Sequence, residues 1–414
     1  MPRVVVVGGG AAGMMAAVEA GRAGADVVLL EKMPALGRKL SITGKGRCNL
    51  TNNADRDQII ANLPGNGQFL YSALTAFGAA DTIAFIEALG VPTKTERGGR
   101  VFPVSDRAAD VVAAFRRELN RLGVEVRLRT PAASLVVQDG AVTGVKLGDG
   151  VSVPAAAAII TTGGASYPGT GSTGDGYRMA AAVGHTIITP RPSLVPLETV
   201  EEWPAEAQGL ALKNVRVRAY ASDGSRLGEE FGEMLFTHFG VSGPCILTLS
   251  RSVTAYLERD GRAAAIAIDL KPALSDEELD LRLQRDFGEY SRKHFSNALD
   301  DLLPRKLIPV IVRLSGIGAE RPVHQITRSQ RLGLVALLKE LRLNIRGPRP
   351  LTEAIVTAGG VATREVDPRT FASKLVRGLY FAGEVLDVDG FTGGYNLQAA
   401  WASGRAAGRA AAAQ

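Results

Sequence analysis

The stretch Val4-Val5-Val6-Val7-Gly8-Gly9-Gly10-Ala11-Ala12-Gly13 limits what the chain can fold into more than any other segment. Four consecutive β-branched residues make a strand buried on both faces, as in a parallel sheet. Gly8, Gly10 and Gly13 then fall on the spacing G-x-G-x-x-G. Gly8 permits a tight turn, Gly10 lets a pyrophosphate approach the backbone, and Gly13 lets the following helix lie close on the strand, so that phosphates meet a helix N-terminus. The helix runs through Met14, Met15, Ala17 and Val18 and stops near Gly24. A second strand, Val27 to Leu30, delivers Glu31, an acid placed for the ribose hydroxyls of an adenosine and unfavourable to a 2′-phosphate. The glycine pattern alone is a weak signal; strand, glycines, helix, strand and acid within about 30 residues together specify a dinucleotide-binding unit.

Downstream lies Lys32 to Asn52, a long polar loop dense in glycine and cations. Its backbone N–H groups and the heads of Lys32, Lys39 and Arg47 suit a pyrophosphate, and Gly44 and Gly46 let the chain approach a planar ring. Residues 55 to 125 read as helices, Phe77 to Leu89 and Arg107 to Leu122, around a turn at Arg97 to Arg100. Four short alternating runs, Val124 to Leu128, Ala133 to Gln138, Val142 to Leu147 and Val151 to Val153, predict a β-meander with Asp-Gly turns. A core strand, Ala157 to Thr161, ends in Thr162-Gly163-Gly164. Gly169, Gly171 and Gly174 repeat the G-x-G-x-x-G spacing, but no strand abuts the first glycine and no acid follows a second strand, so a second nucleotide fold is rejected.

Pro190 to Pro196 reads as a domain crossing. Beyond it, Val215 to Tyr220, Arg226 to Leu227, Met234 to Phe236 and Ala264 to Leu270 are strand-like. His238 is expected on a loop before a helix that Pro244 opens and that continues to about Ser252. Ser275 to Glu278 and Thr327 to Gln330 are capping boxes that open charged amphipathic helices. Leu351 to Thr357 returns as a strand, Gly378 to Glu384 as another, and a small-residue helix starting near Asn396 closes the chain. The positive end of that helix, behind Gly393 and Gly394, suits a ring carbonyl that gains charge on reduction.

With 46% apolar residues the 414-residue chain can bury the cores of two or three domains. Cys48 and Cys245 are too few for a disulfide framework, and four scattered histidines make no metal site, so a reducing cytoplasmic location is expected. The apolar run after Met1-Pro2-Arg3 is broken by glycine and carries Glu19, so it reads as strand and helix rather than a signal peptide. No run of about 18 apolar residues is present, and no membrane span is expected. The net charge of +6 is uneven: from Leu302 to Pro350, ten Lys and Arg stand against Glu320 and Glu340. Such a stretch is the footprint of a polyanion-binding surface or, more blandly, of a solvated helical face.

Taken together, the Gly8 to Gly13 turn, the Gly37 to Asn52 loop, Thr162 to Gly176, Phe236 to Pro244, Gly359 to Val361 and Gly378 to Gln398 resemble the bacterial flavoproteins of the two-dinucleotide-binding type. That family includes a ribosomal-RNA dihydrouridine synthase, a bile-acid enone reductase and an aminoacetone oxidase. The resemblance implies an α/β fold: a discontinuous, Rossmann-type (glutathione-reductase-like) FAD-binding domain at 1–192 and 351–414, with an inserted β-barrel-like domain at 193–274 and 342–350 and a helical domain at 275–341. By position, Gly8, Gly10, Ala11, Ala12 and Gly13 would hold the pyrophosphate and Glu31 the ribose. Lys32, Lys39, Gly44, Gly46, Arg47, Cys48 and Asn49 would lie along the phosphates and flavin. Val136 would meet the adenine, Thr162, Gly163 and Gly164 the adenosine, Gly383 and Glu384 the ribityl chain, and Gly394, Asn396 and Leu397 the pyrimidine edge.

FAD then supplies the redox chemistry, with NAD(P)H as a transient donor. His238 or Cys48 is expected to give the proton or, for His238, to anchor the substrate. Among the substrates that the resemblance implies, the basic stretch at 302–350 ranks uridine in 23S large-subunit rRNA first, ahead of a small enone or amine and of a non-catalytic FAD-binding redox sensor.

Overall fold

In a computed structural model, residues 2–261 and 263–414 are described; Met1 and Arg262 lie outside them. The chain divides into two compact units, one of residues 1–192 and 351–414, the other of 193–350.

The first unit is built on five parallel strands in the order Leu379–Phe381, Ala157–Ile160, Arg3–Val7, Asp26–Leu30, Glu125–Arg127. Val4 to Val7 have at most 4% of their surface exposed, as a strand covered on both faces requires. The chain passes from Arg3–Val7 to its neighbour on one side and only later to Ala157–Ile160 on the other. Direction therefore reverses at the first strand, and the crevice beyond the carboxyl ends of such strands is where α/β sheets take ligands. Two helices flank that strand's turn: the first, Ala11–Arg22, and the closing helix, Tyr395–Ala412. They meet backbone to backbone, because a Cβ on Gly404 or Gly408 would overlap the carbonyl oxygens of Ala12 and Ala16.

Several local readings change. Glu125–Arg127 is not part of the meander but pairs in parallel with Asp26–Leu30; the meander has three strands, Ala132–Gln138, Ala141–Leu147 and Ser152–Pro154. The polar loop contains a short helix, Arg38–Ile42, and ends in a strand, Thr51–Asn52, which joins Arg100–Pro103 and Thr93–Thr95 in a small sheet. The helix expected from Phe77 to Leu89 forms as Ala79–Ala88, and a further short helix, Tyr71–Ala76, precedes it across Gly78. The crossing near Pro190 is itself a strand, Ile187–Ser193, which pairs with Val356–Val361. The latter returns five residues later than expected, because Leu351–Glu353 forms a 3₁₀ turn.

In the second unit, six antiparallel strands close into a barrel: Leu197–Thr199, Gly240–Ser242, Arg226–Thr237, Ala211–Tyr220, Ala264–Asp269 and Leu341–Pro348. Arg226 to Thr237 is one strand where two were expected; the polar stretch Gly228 to Gly232 pairs in register with Val215 to Ala219, and the register shifts lie on either side of it. Helix Pro244–Asp260 runs well past Ser252. Both capping boxes form, opening Asp276–Glu289 and Arg328–Lys339. The apolar faces of these helices share one core with the barrel, Leu279, Leu283, Leu334 and Leu338 lying with Ile266 and Leu343.

The basic stretch in this unit is largely compensated. Arg313 pairs with Glu206, Arg331 with Asp280, Lys339 with Asp269, Arg342 with Glu340 and Arg349 with Glu198. Residues 193–350 carry 22 Lys and Arg against 21 Asp and Glu, a net of +1. Four of the five acids precede the stretch in sequence, so the fold brings in counter-charges that a window over 302–350 omits.

An ionic knot around two buried carboxylates joins three helices of the first unit. Arg22 reaches Glu19 and Glu118, Arg121 also reaches Glu118, and Arg405 reaches Glu19. The Arg121 hydrogen bond, helped by Arg22, overcomes burial and holds the Glu118 carboxyl at about 2. A carboxyl depressed in the folded state stabilises above its unfolded value and loses that contribution as pH falls towards the folded one. Wild-type protein is therefore expected to lose on the order of 2 kcal/mol between pH 5 and pH 2 through this group. Urea unfolding of Glu118→Gln across that range should show a correspondingly flatter pH dependence; an unchanged slope would remove Glu118 from the account.

Candidate dinucleotide site

The turn after the first strand is set by hard contacts. Gly8 has φ +106°, and a Cβ there would lie 2.6 Å from the Thr161 carbonyl oxygen. A Cβ on Gly13 would overlap the Gly8 carbonyl oxygen and come within 2.6 Å of Thr161 Oγ1. Thr161 Oγ1 lies 2.9 Å from the Val7 oxygen and 2.8 Å from the Gly8 oxygen, latching the turn to the neighbouring strand. Gly10 differs. Its φ is −78°, which any residue adopts, and a Cβ there would meet nothing within 4 Å. Neither backbone conformation nor protein packing requires a glycine at that point.

The helix that follows has no side-chain cap and no acid in its first turn. Its leading N–H groups at Ala11, Ala12 and Gly13 form an anion site open beside Gly10. The closing helix starts in the same way, uncapped and without an acid, behind Gly394 at φ +101°. A Cβ on Gly394 would overlap the backbone of Thr51. Asn396 is tied by its side chain to Gly390 and Phe391, which leaves the N–H groups of Asn396 and Leu397 as the donors of that turn. Gly383, at φ +77°, lies against Ala12.

The charged side chains expected along the phosphates each have a protein partner. Lys32 Nζ is 2.5 Å from both Asp175 and Thr173, and Lys39 Nζ is 2.7 Å from Glu384 and from Ser166. Glu384 also accepts the Thr357 N–H at 2.8 Å. Arg47 bonds Glu96 and Asp106 and lies over the Phe102 ring. These pairs staple the Lys32 to Asn52 loop to three other segments. Glu31 accepts the N–H groups of Gly9 and Met33 at 2.8 and 2.7 Å; burial nevertheless raises its carboxyl above the ordinary range. Gly44, Lys45, Gly46 and Cys48 all have positive φ, so the tip of the loop is a strained backbone arch. Half-buried Asn49 leaves its Oδ1 without a partner. Val136 sits mid-strand in the meander, opposite Gly144. Thr162 and Gly163 are half-buried at the end of the fourth strand in sequence of the parallel sheet, and Gly164 packs on Thr357.

Cys48 does not fit the role expected of it. The residue has no exposed surface, so neither cofactor nor substrate can meet it, and burial pushes its thiol up to about 12. The polar loop around it hides its place in the core. His238 is exposed, but in the tight turn between Arg226–Thr237 and Gly240–Ser242 rather than on a loop before a helix, its ring against Phe239.

Residues not singled out in the sequence support the site. Gln398 Oε1 receives Thr51 and Thr82 hydroxyls at 2.6 and 2.8 Å while its Nε2 donates to the Phe77 oxygen. Trp401 Nε1 donates to the Leu50 oxygen at 2.9 Å. A fully buried glutamine amid alanine and glycine in a helix is the signal that points to such a bracket.

These features fit FAD: a glycine bordering open space, two uncapped helix starts, one beside Gly10 and one behind Gly394, and an unpartnered side-chain carbonyl next to the arch. Among the described residues no cluster could hold a metal ion.

The family described as the HI0933-like protein Rossmann domain matches residues 2–410. The chain is 35% identical over 417 residues to the 3-dehydro-bile acid delta(4,6)-reductase of Clostridium scindens, covering 100% of this chain and 99% of that protein. It is 33% identical over 400 residues to the ribosomal RNA dihydrouridine synthase of Escherichia coli, covering 96% and 95%. Among solved structures, the 3-ketosteroid delta1-dehydrogenase of Sterolibacterium denitrificans superposes with a TM-score of 0.55 at 14% identity over the full length of both chains, which shows a common fold.

Proposed function

Since the chain belongs to the HI0933-like family of FAD-binding Rossmann proteins and is an FAD-dependent oxidoreductase, we propose that it reduces a carbon–carbon double bond conjugated to a carbonyl in a small molecule of low charge. The observation that carries the reaction class is chemical. A 3-oxo compound with delta(4,6) unsaturation and a uridine both hold a C=C in conjugation with a carbonyl, and both named relatives saturate it. Hydride addition at the far carbon of such a system is easy because the charge spreads to the carbonyl oxygen. FAD supplies that hydride when reduced. The protein's part is to hold the pyrophosphate on the N–H groups of Ala11 to Gly13, to offer the Asn396 and Leu397 N–H groups to the ring edge, and to provide a proton. NADH or NADPH as the electron source belongs to the same proposal.

The net charge of +1 on residues 193–350 and the pairing of five cations of the basic stretch favour a small substrate over a polyanion. Identity to the Escherichia coli enzyme supports the second reading, uridine in 23S rRNA. Anaerobically reduced holoprotein should be reoxidised by a 4-en-3-one steroid, with a product two hydrogens heavier by mass spectrometry. Unmodified 23S rRNA under the same conditions should leave the flavin reduced. Dihydrouridine formation with inert enones would overturn the first reading in favour of the second.

A further inference from the structure

We infer that Asp387 is the acid that delivers the proton in this reduction, an inference that rests on the function proposed above. Saturation of the double bond breaks its π bond and forms two C–H bonds, one from a hydride at the carbon far from the carbonyl and one from a proton at the nearer carbon. The hydride brings both electrons, which the nicotinamide donor replaces. The proton must come from a group held in place beside the ring.

Asp387 belongs to the same compact unit as the dinucleotide turn. Segment 382–394 runs past the carboxyl ends of the parallel strands, between Gly383 against Ala12 and the uncapped closing helix. It carries three acids. Glu384 is held by Lys39, Ser166 and Thr357, and Asp389 is only 1% exposed. Asp387 is half-buried and partly open. Its backbone N–H bonds the Val361 oxygen at 3.0 Å, and Asn66 Nδ2 donates both to its Oδ2 at 2.9 Å and to its carbonyl oxygen at 2.7 Å. The carboxyl is thus oriented by two neutral donors, the Asn66 amide and the Gly359 N–H.

The charged and titratable groups that face it are Arg191 from strand Ile187–Ser193, Asp389 from its own segment and Tyr177 from helix Asp175–Ala182. Burial outweighs the Asn66 bond, Asp389 adds to it, and Arg191 and the Gly359 N–H offset only part. The carboxyl therefore lies above the usual aspartate range and keeps its proton to higher pH. Giving that proton to carbon leaves the carboxylate, which water re-protonates before the next turnover.

Asp387→Asn preserves the shape and the Asn66 bond while removing the acid. The variant should bind FAD and be reduced by NAD(P)H or dithionite like wild type. Its reoxidation by the enone should fall roughly 10²–10⁴-fold, and Asp387→Glu should recover part of the loss. The wild-type reoxidation rate should decline at high pH, and this limb should vanish in Asp387→Asn. On the full chain without flavin, carboxyl carbon NMR should show one aspartate that titrates above the ordinary range and is missing from Asp387→Asn. Wild-type reoxidation rates and an unchanged pH limb in Asp387→Asn, or the absence of that resonance, would overturn the assignment while leaving the proposed function intact. Failure of wild type with both enone and uridine would bring down the function and the assignment together.

Discussion

Gly10→Asp protein is expected to fold, to purify colourless, and to take up no FAD at micromolar concentrations. The new side chain enters open space at a φ that suits it, so nothing in the protein resists it. Its carboxylate would stand at the helix start that otherwise receives a dianionic pyrophosphate. Like charges so placed cost several kcal/mol, which corresponds to a loss in affinity on the order of 10³-fold or more. Gly13→Ala makes the contrast. Its Cβ would overlap the Gly8 carbonyl oxygen, so the helix has to leave the strand and the fold suffers before the cofactor does. Flavin absorbance per protein and circular dichroism melts on the two variants check both halves. Full flavin content in Gly10→Asp would mean that the pyrophosphate lies elsewhere.

The second large effect is on stability. Gly404→Leu should lower the melting temperature of the FAD-binding unit by roughly 6–12 °C, corresponding to about 3 kcal/mol or more. The position lies where the closing helix touches the first helix at the Ala12 carbonyl, with no side chain between them to move aside. Leucine there either separates the two helices or displaces Ala12, whose N–H belongs to the anion site. Flavin affinity should therefore fall together with stability. Gly288→Leu, at a helical glycine with open space around it, is the control and should change the melt little. Equal melts for the two variants would mean that the helices do not pack as closely as described.

The dinucleotide unit was legible because its signals are local. A β-branched run, three glycines and an acid act within one strand–turn–helix–strand, and their spacing reads as a turn although Gly8 also meets the remote Thr161 and Gly10 meets no protein atom. The capping boxes at Ser275 and Thr327 were readable for the same reason. The strand at Glu125 was misassigned because alternation cannot distinguish a meander from the edge of a parallel sheet. Only the partner strand, some hundred residues away in sequence, decides that. Cys48 followed the same logic: a polar, glycine-rich loop reads as open, whereas its left-handed φ turns the thiol into the core.

The sequence by itself determined that this chain binds a dinucleotide through a parallel α/β sheet, because short-range sterics and backbone donors suffice to build that turn. Only the tertiary structure decided which charges are free. Lys32, Lys39 and Arg47 look like phosphate ligands until Asp175, Glu384 and Glu96 come to meet them. A +8 stretch looks like an RNA-binding face until acids from residues 198–280 join it. Electrostatic energy depends on distance in space, and in a chain this long most of the neighbours that set it are remote in sequence.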